Sequence, residues 1–171
     1  DVVVVSDEAY AAYSGATNLP RLAERPNLVV MRTLSKLGMA GLRVGYTISS
    51  PAIAALLERV RPPYIVSALD QAAAALLVDE AAAWCEARAR EVVAERGRLG
   101  AGLAAAGLEV FPSEANLLLV RCPDAPALWR RLADAGISVR AFGPGRLADC
   151  LRITVGTILG SELTRRYGSA G

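Results

Sequence analysis

The sequence contains no histidine, and only one of its 19 basic residues is a lysine. The absence of histidine excludes catalytic triads and metal sites that depend on imidazole. The three cysteines, Cys85, Cys122 and Cys150, lack the close spacing of a metal site, so we expect no metal. We interpret them as ordinary free thiols, which leads us to expect a protein of the reducing cytoplasm.

The sequence also lacks a large net charge and a long apolar run. A formal net charge of +2 is too small to argue for nucleic acid as a partner. No apolar run is long enough to span a bilayer, so we expect no membrane partner. With 171 residues, 53% of them hydrophobic and 21% charged, the chain has enough apolar material for one domain or two small ones.

The single lysine, Lys36, lies in the segment TLSKLGMAGLRVGY (Thr33–Tyr46). A lysine that is held against a sheet and desolvated can lose its proton and form a Schiff base with a carbonyl compound. Arginine cannot do this, because its guanidinium stays protonated. The alternative is that Lys36 is a solvated surface residue near a turn, in a chain that uses arginine almost everywhere else. The residues around Lys36 favour the chemical role.

Apolar runs predict three strands in the first part of the chain. Val2–Val5 has the continuous apolar character of a buried central strand, and Leu28–Leu34 and Val44–Ser49 are further strands. Ligands of α/β proteins bind at the carboxyl ends of such strands, which makes Asp7 and Tyr10 candidates. A central strand needs neighbours on both sides, so we expect the chain to be the C-terminal part of a longer enzyme.

The composition changes twice along the rest of the chain. Ser67–Ala106 is rich in helix-forming residues and predicts one long helix or two, with a break near Asp79. From Gly107 the pattern is that of a compact α/β unit. Its predicted strands are Leu108–Phe111, Ala115–Val120, Ile137–Phe142 and Leu151–Val155, and its predicted helix is Pro126–Ala135.

Three motifs together resemble one family. They are DEAY within Val2–Tyr13, SKLGMAGLRVGY within Thr33–Tyr46, and CLRITVGT at Cys150–Thr157. In this order they resemble the fold-type-I aminotransferases of class I and II, which use pyridoxal phosphate, and most of all the histidinol-phosphate aminotransferase group. The resemblance covers nearly the whole chain, but only the C-terminal part of such an enzyme.

The resemblance implies five residues that hold the cofactor, pyridoxal 5′-phosphate. Lys36 resembles the lysine that bonds to the cofactor and then moves a proton between Cα and C4′. Asp7 resembles the carboxylate that keeps the pyridine nitrogen protonated, so that the ring can accept electrons. Tyr10 resembles the tyrosine that hydrogen-bonds the cofactor O3′. Ser35 and Arg43 resemble phosphate ligands.

Two further arginines resemble residues that bind the substrate. Arg152 resembles the arginine that grips the substrate carboxylate through two parallel hydrogen bonds. The alternation in Leu151–Val155 supports this, because it separates Arg152 from the apolar face of its strand. Arg140 resembles an arginine that helps to hold the substrate phosphate.

The resemblance also implies a fold and a domain organisation. The fold class is α/β, with the C-terminal part of a parallel-rich large-domain sheet and a small C-terminal α/β domain. We expect residues 1–66 to belong to the cofactor-binding large domain, 67–106 to form a connecting helical segment, and 107–171 to form the small domain. The tail after Thr157 does not continue the family's usual last helix.

The implied activity is transamination between histidinol phosphate and 2-oxoglutarate, in histidine biosynthesis, by a homodimeric enzyme. Threonine-phosphate decarboxylase and aromatic aminotransferase activities share the first two motifs and stay open. A third alternative is a catalytically inactive fragment that associates through an exposed strand edge.

Overall fold

A computed structural model describes residues 2–156 of the chain. The chain divides into two compact units, one ending at Ala89 and the other beginning at Arg90. The tail after Thr157, which we expect to depart from the family's usual last helix, lies outside the described residues.

A three-stranded sheet organises the described part of the first unit. The strands are β1 (Val4–Asp7), β2 (Leu28–Thr33) and β3 (Gly45–Ser49), in the order β1-β2-β3. β1 and β2 run parallel, and β3 is antiparallel to β2. The apolar start of β2 is buried, since Leu28, Val29 and Val30 are each at most 7% exposed. The three predicted strands are therefore present, each with shifted ends.

The predicted burial of the first strand is wrong. Val2, Val3, Val4 and Val5 are exposed by 74%, 57%, 50% and 58%, and β1 begins only at Val4. The physical reason is that β1 pairs with β2 alone among the described strands, which leaves its other edge without a neighbour. β1 is an edge strand of this sheet, although its composition is that of a central one.

Gly45 begins β3 at a point where the backbone of β2 approaches closely. A Cβ atom at this position would lie 3.0 Å from the carbonyl oxygen of Arg32. We expect Gly45→Ala to lower the free energy of unfolding by about 1–3 kcal/mol, as overpacking against a fixed backbone does. Urea unfolding measures the change. Gly41→Ala is the matched control, because a Cβ there meets nothing within 4 Å, and equal losses in both variants would contradict the explanation.

Three helices follow the sheet in the chain. They are α2 (Pro51–Val60), α3 (Ala68–Asp79) and α4 (Ala82–Ala105). The predicted break near Asp79 is confirmed, because α3 ends at that residue and α4 begins three residues later. Ser67 caps α3 by accepting a hydrogen bond from the Asp70 N–H (3.1 Å). Within residues 2–156, no helix is both long enough and apolar enough to cross a bilayer.

The second unit contains a four-stranded antiparallel sheet in the order β4-β5-β7-β6. The strands are β4 (Glu109–Val110), β5 (Leu117–Arg121), β6 (Arg140–Ala141) and β7 (Cys150–Thr154), with α5 (Ala125–Asp134) between β5 and β6. α5 and the end of α4 supply the rest of an apolar core that includes Leu99, Leu103, Leu118, Val120, Leu132 and Leu151.

The predicted strand Ile137–Phe142 is much shorter in the structure. Only Arg140 and Ala141 pair with a neighbouring strand, opposite Arg152 and Leu151 of β7. Ile137 and Val139 are buried in the core without joining the sheet. Their apolar character therefore comes from core packing, which a pattern of alternating residues cannot distinguish from a strand.

Candidate functional site

Lys36 lies directly after β2, in a single turn of 3-10 helix at Ser35–Leu37. Its Nζ atom is 5.5 Å from the centre of the Tyr10 ring. Tyr10 follows β1, so the carboxyl ends of two neighbouring parallel strands place the two residues side by side. Lys36 is half-buried as a residue, and its amine lies over an aromatic ring. This arrangement is suited to a planar ligand that carries a carbonyl group.

Tyr13 fixes the backbone of the lysine turn, and sequence reasoning did not single it out. Its side chain is buried, at 7% exposure, and its hydroxyl donates a hydrogen bond to the carbonyl oxygen of Lys36. It lies in α1 (Ala11–Ser14), one turn after Tyr10. That spacing was the one signal available, since residues three apart on a helical turn share a face.

We expect Tyr13→Phe to lower the free energy of unfolding by about 1–2 kcal/mol, because it leaves the carbonyl oxygen of Lys36 without this donor. Urea unfolding measures the loss, and hydrogen exchange of the peptide containing Lys36 locates it. Tyr46→Phe serves as the control, because Tyr46 is 37% exposed. A Tyr13→Phe variant as stable as the wild type would show that the hydroxyl does not hold the turn.

Asp7 is the last residue of β1 and is exposed. Its Oδ1 atom accepts a hydrogen bond from the Ala9 N–H (3.0 Å). The side chain lines a cavity of about 690 Å³, together with Met31, Thr33 and Tyr46. In the described part of the chain, no hydrogen bond or ion pair joins Asp7 to Lys36. The carboxylate is therefore available to a ligand.

The side chain of Glu8 has a structural role. It is 8% exposed and accepts hydrogen bonds from the Thr17 hydroxyl (2.8 Å), the Asn18 N–H (2.6 Å) and the Arg32 guanidinium (2.9 and 3.2 Å). Burial alone would raise the pKa of Glu8, but the hydrogen bonds from Asn18, Arg32 and Thr17 outweigh it and lower the pKa below 4.5. This network fastens the loop after Asp7 to β2.

Ser35 and Arg43 belong to the loop that connects β2 to β3. The Ser35 N–H donates to Thr33 Oγ1 (3.1 Å), which holds the start of the lysine turn. Arg43 is exposed and has a φ of +54°, in the left-handed region that arginine rarely adopts. Such a conformation costs about 1–3 kcal/mol and often marks a ligand-binding loop.

Arg140 and Arg152 lie directly opposite each other on β6 and β7. Both are exposed, and both line a cavity of about 510 Å³ with Ser138 and Thr154. Neither has a carboxylate partner among residues 2–156. Like charges that face each other across two strands are destabilising, and a bound anion would remove that cost. The alternation expected for Leu151–Val155 is confirmed, because its apolar residues are buried while Arg152 and Thr154 are exposed.

The structure thus brings the candidate residues together in two groups. In the first unit, Lys36 lies beside Tyr10, and Asp7 ends the strand next to them. In the second unit, Arg140 and Arg152 share one polar cavity. The first group offers an amine, a phenol and a carboxylate, and the second offers two guanidinium groups for an anionic ligand.

Comparison with known proteins finds relatives at 45–46% identity. The chain is 45% identical to histidinol-phosphate aminotransferase 1 of Burkholderia lata over 158 residues, which are 91% of this chain and 44% of that protein. It is 46% identical to histidinol-phosphate aminotransferase of Chromobacterium violaceum, with the same coverage. The chain therefore spans less than half the length of these relatives.

Solved structures give the same picture. Histidinol-phosphate aminotransferase from Sinorhizobium meliloti, in complex with pyridoxal-5′-phosphate, superposes with a TM-score of 0.78 at 32% identity, covering 96% of this chain and 47% of that one. The fold is also that of L-threonine-O-3-phosphate decarboxylase from Porphyromonas gingivalis, with a TM-score of 0.78 at 22% identity, 95% of this chain and 53% of that one.

The family is established by a match that runs through both units. Residues 1–164 match the family described as aminotransferase class I and II. This range contains the lysine turn and the strand that carries Arg152. The α/β fold class expected from the sequence is confirmed by the structural neighbours. This chain belongs to the class I and II aminotransferase family.

Proposed function

We propose that this chain is part of an aminotransferase that transfers an amino group between histidinol phosphate and 2-oxoglutarate. The observation that carries the proposal is the position of Lys36, the only lysine, beside Tyr10 at the carboxyl ends of β1 and β2. The names of the relatives at 45–46% identity support the substrate.

The residues of the first unit fit pyridoxal 5′-phosphate by their chemistry. When bound, this cofactor supplies an aldehyde for amines and a ring that accepts electrons. Lys36 would supply the amine for that aldehyde and would move the proton at the substrate Cα. Asp7 would keep the pyridine nitrogen protonated, and Tyr10 would offer a hydroxyl donor to the ring oxygen.

The loop between β2 and β3 is proposed to hold the cofactor's phosphate. Ser35 offers a hydroxyl and Arg43 a planar guanidinium, which can form two parallel hydrogen bonds with phosphate oxygens. Arg43 is exposed and has a left-handed backbone, which is consistent with a loop shaped for a ligand.

The arginines of the second unit are proposed to bind the substrate. Arg152 binds the carboxylate of the 2-oxo acid or amino acid, and Arg140 helps to bind the phosphate of histidinol phosphate. Their shared cavity and their lack of carboxylate partners in the described residues support this role.

We further propose residues 1–66 as part of a cofactor-binding domain, 67–106 as a connecting segment and 107–171 as a small domain. The whole enzyme would be a cytoplasmic homodimer whose partners are small molecules, with no nucleic acid and no membrane among them. Its place in metabolism would be histidine biosynthesis.

The test uses a fusion protein that adds the part of the relatives that this chain does not span. The chain is fused behind the N-terminal part of the Chromobacterium violaceum relative and loaded with pyridoxal phosphate. We expect glutamate to form from 2-oxoglutarate when histidinol phosphate is the donor. Threonine phosphate and aromatic amino acids are each added as competitors. Their effects separate the alternative activities. A fusion that folds and binds the cofactor but forms no glutamate from histidinol phosphate would contradict the proposal.

A second candidate, a catalytically inactive chain that works by association, is favoured by one surface. Val3, Val5, Leu56 and Val60 are each at least 57% exposed and line one apolar groove between β1 and α2. An exposed apolar patch next to an unpaired strand edge is typical of an interaction site. Sedimentation of the isolated chain, combined with a test for covalent capture of pyridoxal phosphate at Lys36, distinguishes the two, because this candidate requires association without any capture.

A further inference from the structure

We propose that Trp129 is a positioning residue for Arg140, and so for the anion that the two opposed arginines bind. The inference rests on the proposed function, because it concerns the substrate side of that site. Trp129 lies in α5, and Arg140 lies in β6, the next element of the chain. Sequence reasoning gave Trp129 no role.

The contact is a hydrogen bond from a side chain to the backbone. The indole Nε1–H of Trp129 donates to the carbonyl oxygen of Val139, at 3.1 Å. Val139 directly precedes Arg140, so the bond fixes the peptide that leads into the arginine. A tryptophan ring has few rotatable bonds, and it therefore holds this peptide at a defined distance from α5.

The segment needs such an anchor because its sheet pairing is short. β6 consists of Arg140 and Ala141 only, at the edge of the sheet. Arg140 also faces the like charge of Arg152 on β7, and this repulsion opposes the pairing that holds β6 in place. The hydrogen bond at Val139 ties the residue before β6 to α5 and so resists that displacement.

The ring of Trp129 also belongs to the anion site itself. It is 40% exposed, and it lines the same cavity as Arg140, Arg152, Ser138 and Thr154. A residue that only filled the core would be buried, as Leu132 on the same helix is, at 2%. The indole therefore has two contacts: it donates a hydrogen bond to the backbone at Val139, and it lines the ligand cavity.

The test uses the whole 171-residue chain and inorganic phosphate as the probe, with affinity measured by calorimetry. Trp129→Phe keeps an aromatic ring but removes the N–H donor. We expect phosphate binding about three- to ten-fold weaker, the effect of one lost hydrogen bond. Trp84→Phe is the matched control, since Trp84 is 56% exposed and lies in the first unit. Arg140→Gln should abolish binding.

If Trp129→Phe folds poorly, a second measurement can still contradict the proposal. The chain has only two tryptophans, so nitrogen-edited NMR of the wild-type protein gives two indole N–H signals, and Trp84→Phe assigns them. We expect phosphate to shift the Trp129 signal and slow its hydrogen exchange, and to leave the Trp84 signal unchanged. In Arg140→Gln the response should be absent.

Two results would overturn the inference. One is phosphate binding that Arg140→Gln abolishes and Trp129→Phe leaves unchanged, with no response of the Trp129 indole. The other is a wild-type chain that binds no phosphate. Neither result touches the capture of pyridoxal phosphate by Lys36, which is measured separately, so failure here is distinguishable from failure of the proposed function.

Discussion

Replacing Lys36 by arginine is expected to lower glutamate formation by the fused enzyme by at least about 10³-fold, because proton transfer by a positioned side chain alone is worth about 10²–10⁴. Arginine keeps the positive charge and most of the length of the side chain. It cannot become the neutral amine that attacks a carbonyl carbon or takes a proton from the substrate. The initial rate of glutamate formation measures the effect.

The composition of the chain makes the effect of this substitution easy to interpret. No other lysine of this chain can take over the bond to the cofactor, since Lys36 is the only one that the chain contains. Arg59→Lys is the matched control, because it introduces a lysine on α2 and leaves Lys36 in place. A Lys36→Arg variant that keeps more than about a tenth of the wild-type rate would mean that another group does the chemistry assigned to Lys36.

Replacing Glu8 by glutamine is expected to lower the free energy of unfolding by about 2–3 kcal/mol at pH 7, because it leaves the partly buried Arg32 without its carboxylate. Glutamine keeps the shape of the side chain, so the loss reports the charge and its hydrogen bonds. Glu58→Gln is the matched control. Glu58 is exposed and pairs with Arg61 on the surface, where water screens the pair, so we expect a much smaller loss.

The same carboxylate predicts a pH dependence. The pKa of Glu8 in the folded chain lies below its ordinary value of 4.5. Its contribution to stability is therefore fully present above pH 4.5 and is lost as the pH falls through the folded pKa. Urea unfolding between pH 3 and pH 7 should show a steeper loss in the wild type than in Glu8→Gln. Parallel curves would contradict the role given to this network.

The positions of the strands and of the two long helices could be predicted, because each depends on local sequence. The break after Asp79 and the alternation around Arg152 are examples, since helix formers and a two-residue period act within a few residues. The exposure of Val2–Val5 could not be predicted, because it depends on which strands lie beside β1. An apolar composition is compatible with a central strand, but the neighbouring strands determine whether the segment is buried.

The supporting residues of the site could not be predicted from the sequence either. Tyr13 and Trp129 act through hydrogen bonds to the backbone of Lys36 and Val139, and neither bond leaves a pattern in the chain. Lys36 and Asp7 were recognisable because their chemistry and motif are local. That Lys36 would lie beside the ring of Tyr10 follows from the parallel pairing of β1 and β2, which the motif implied and periodicity alone did not.

The most direct measurement is covalent capture of the cofactor by the isolated chain. The purified protein is mixed with pyridoxal phosphate, diluted, reduced with borohydride and digested, and the modified peptide is identified by mass. Only the Lys36 amine and the N-terminal amine can react, because the chain has one lysine. The account predicts an adduct on Lys36 that survives dilution and is lost in Asp7→Ala. An adduct confined to the N-terminal amine, or no adduct, would contradict it.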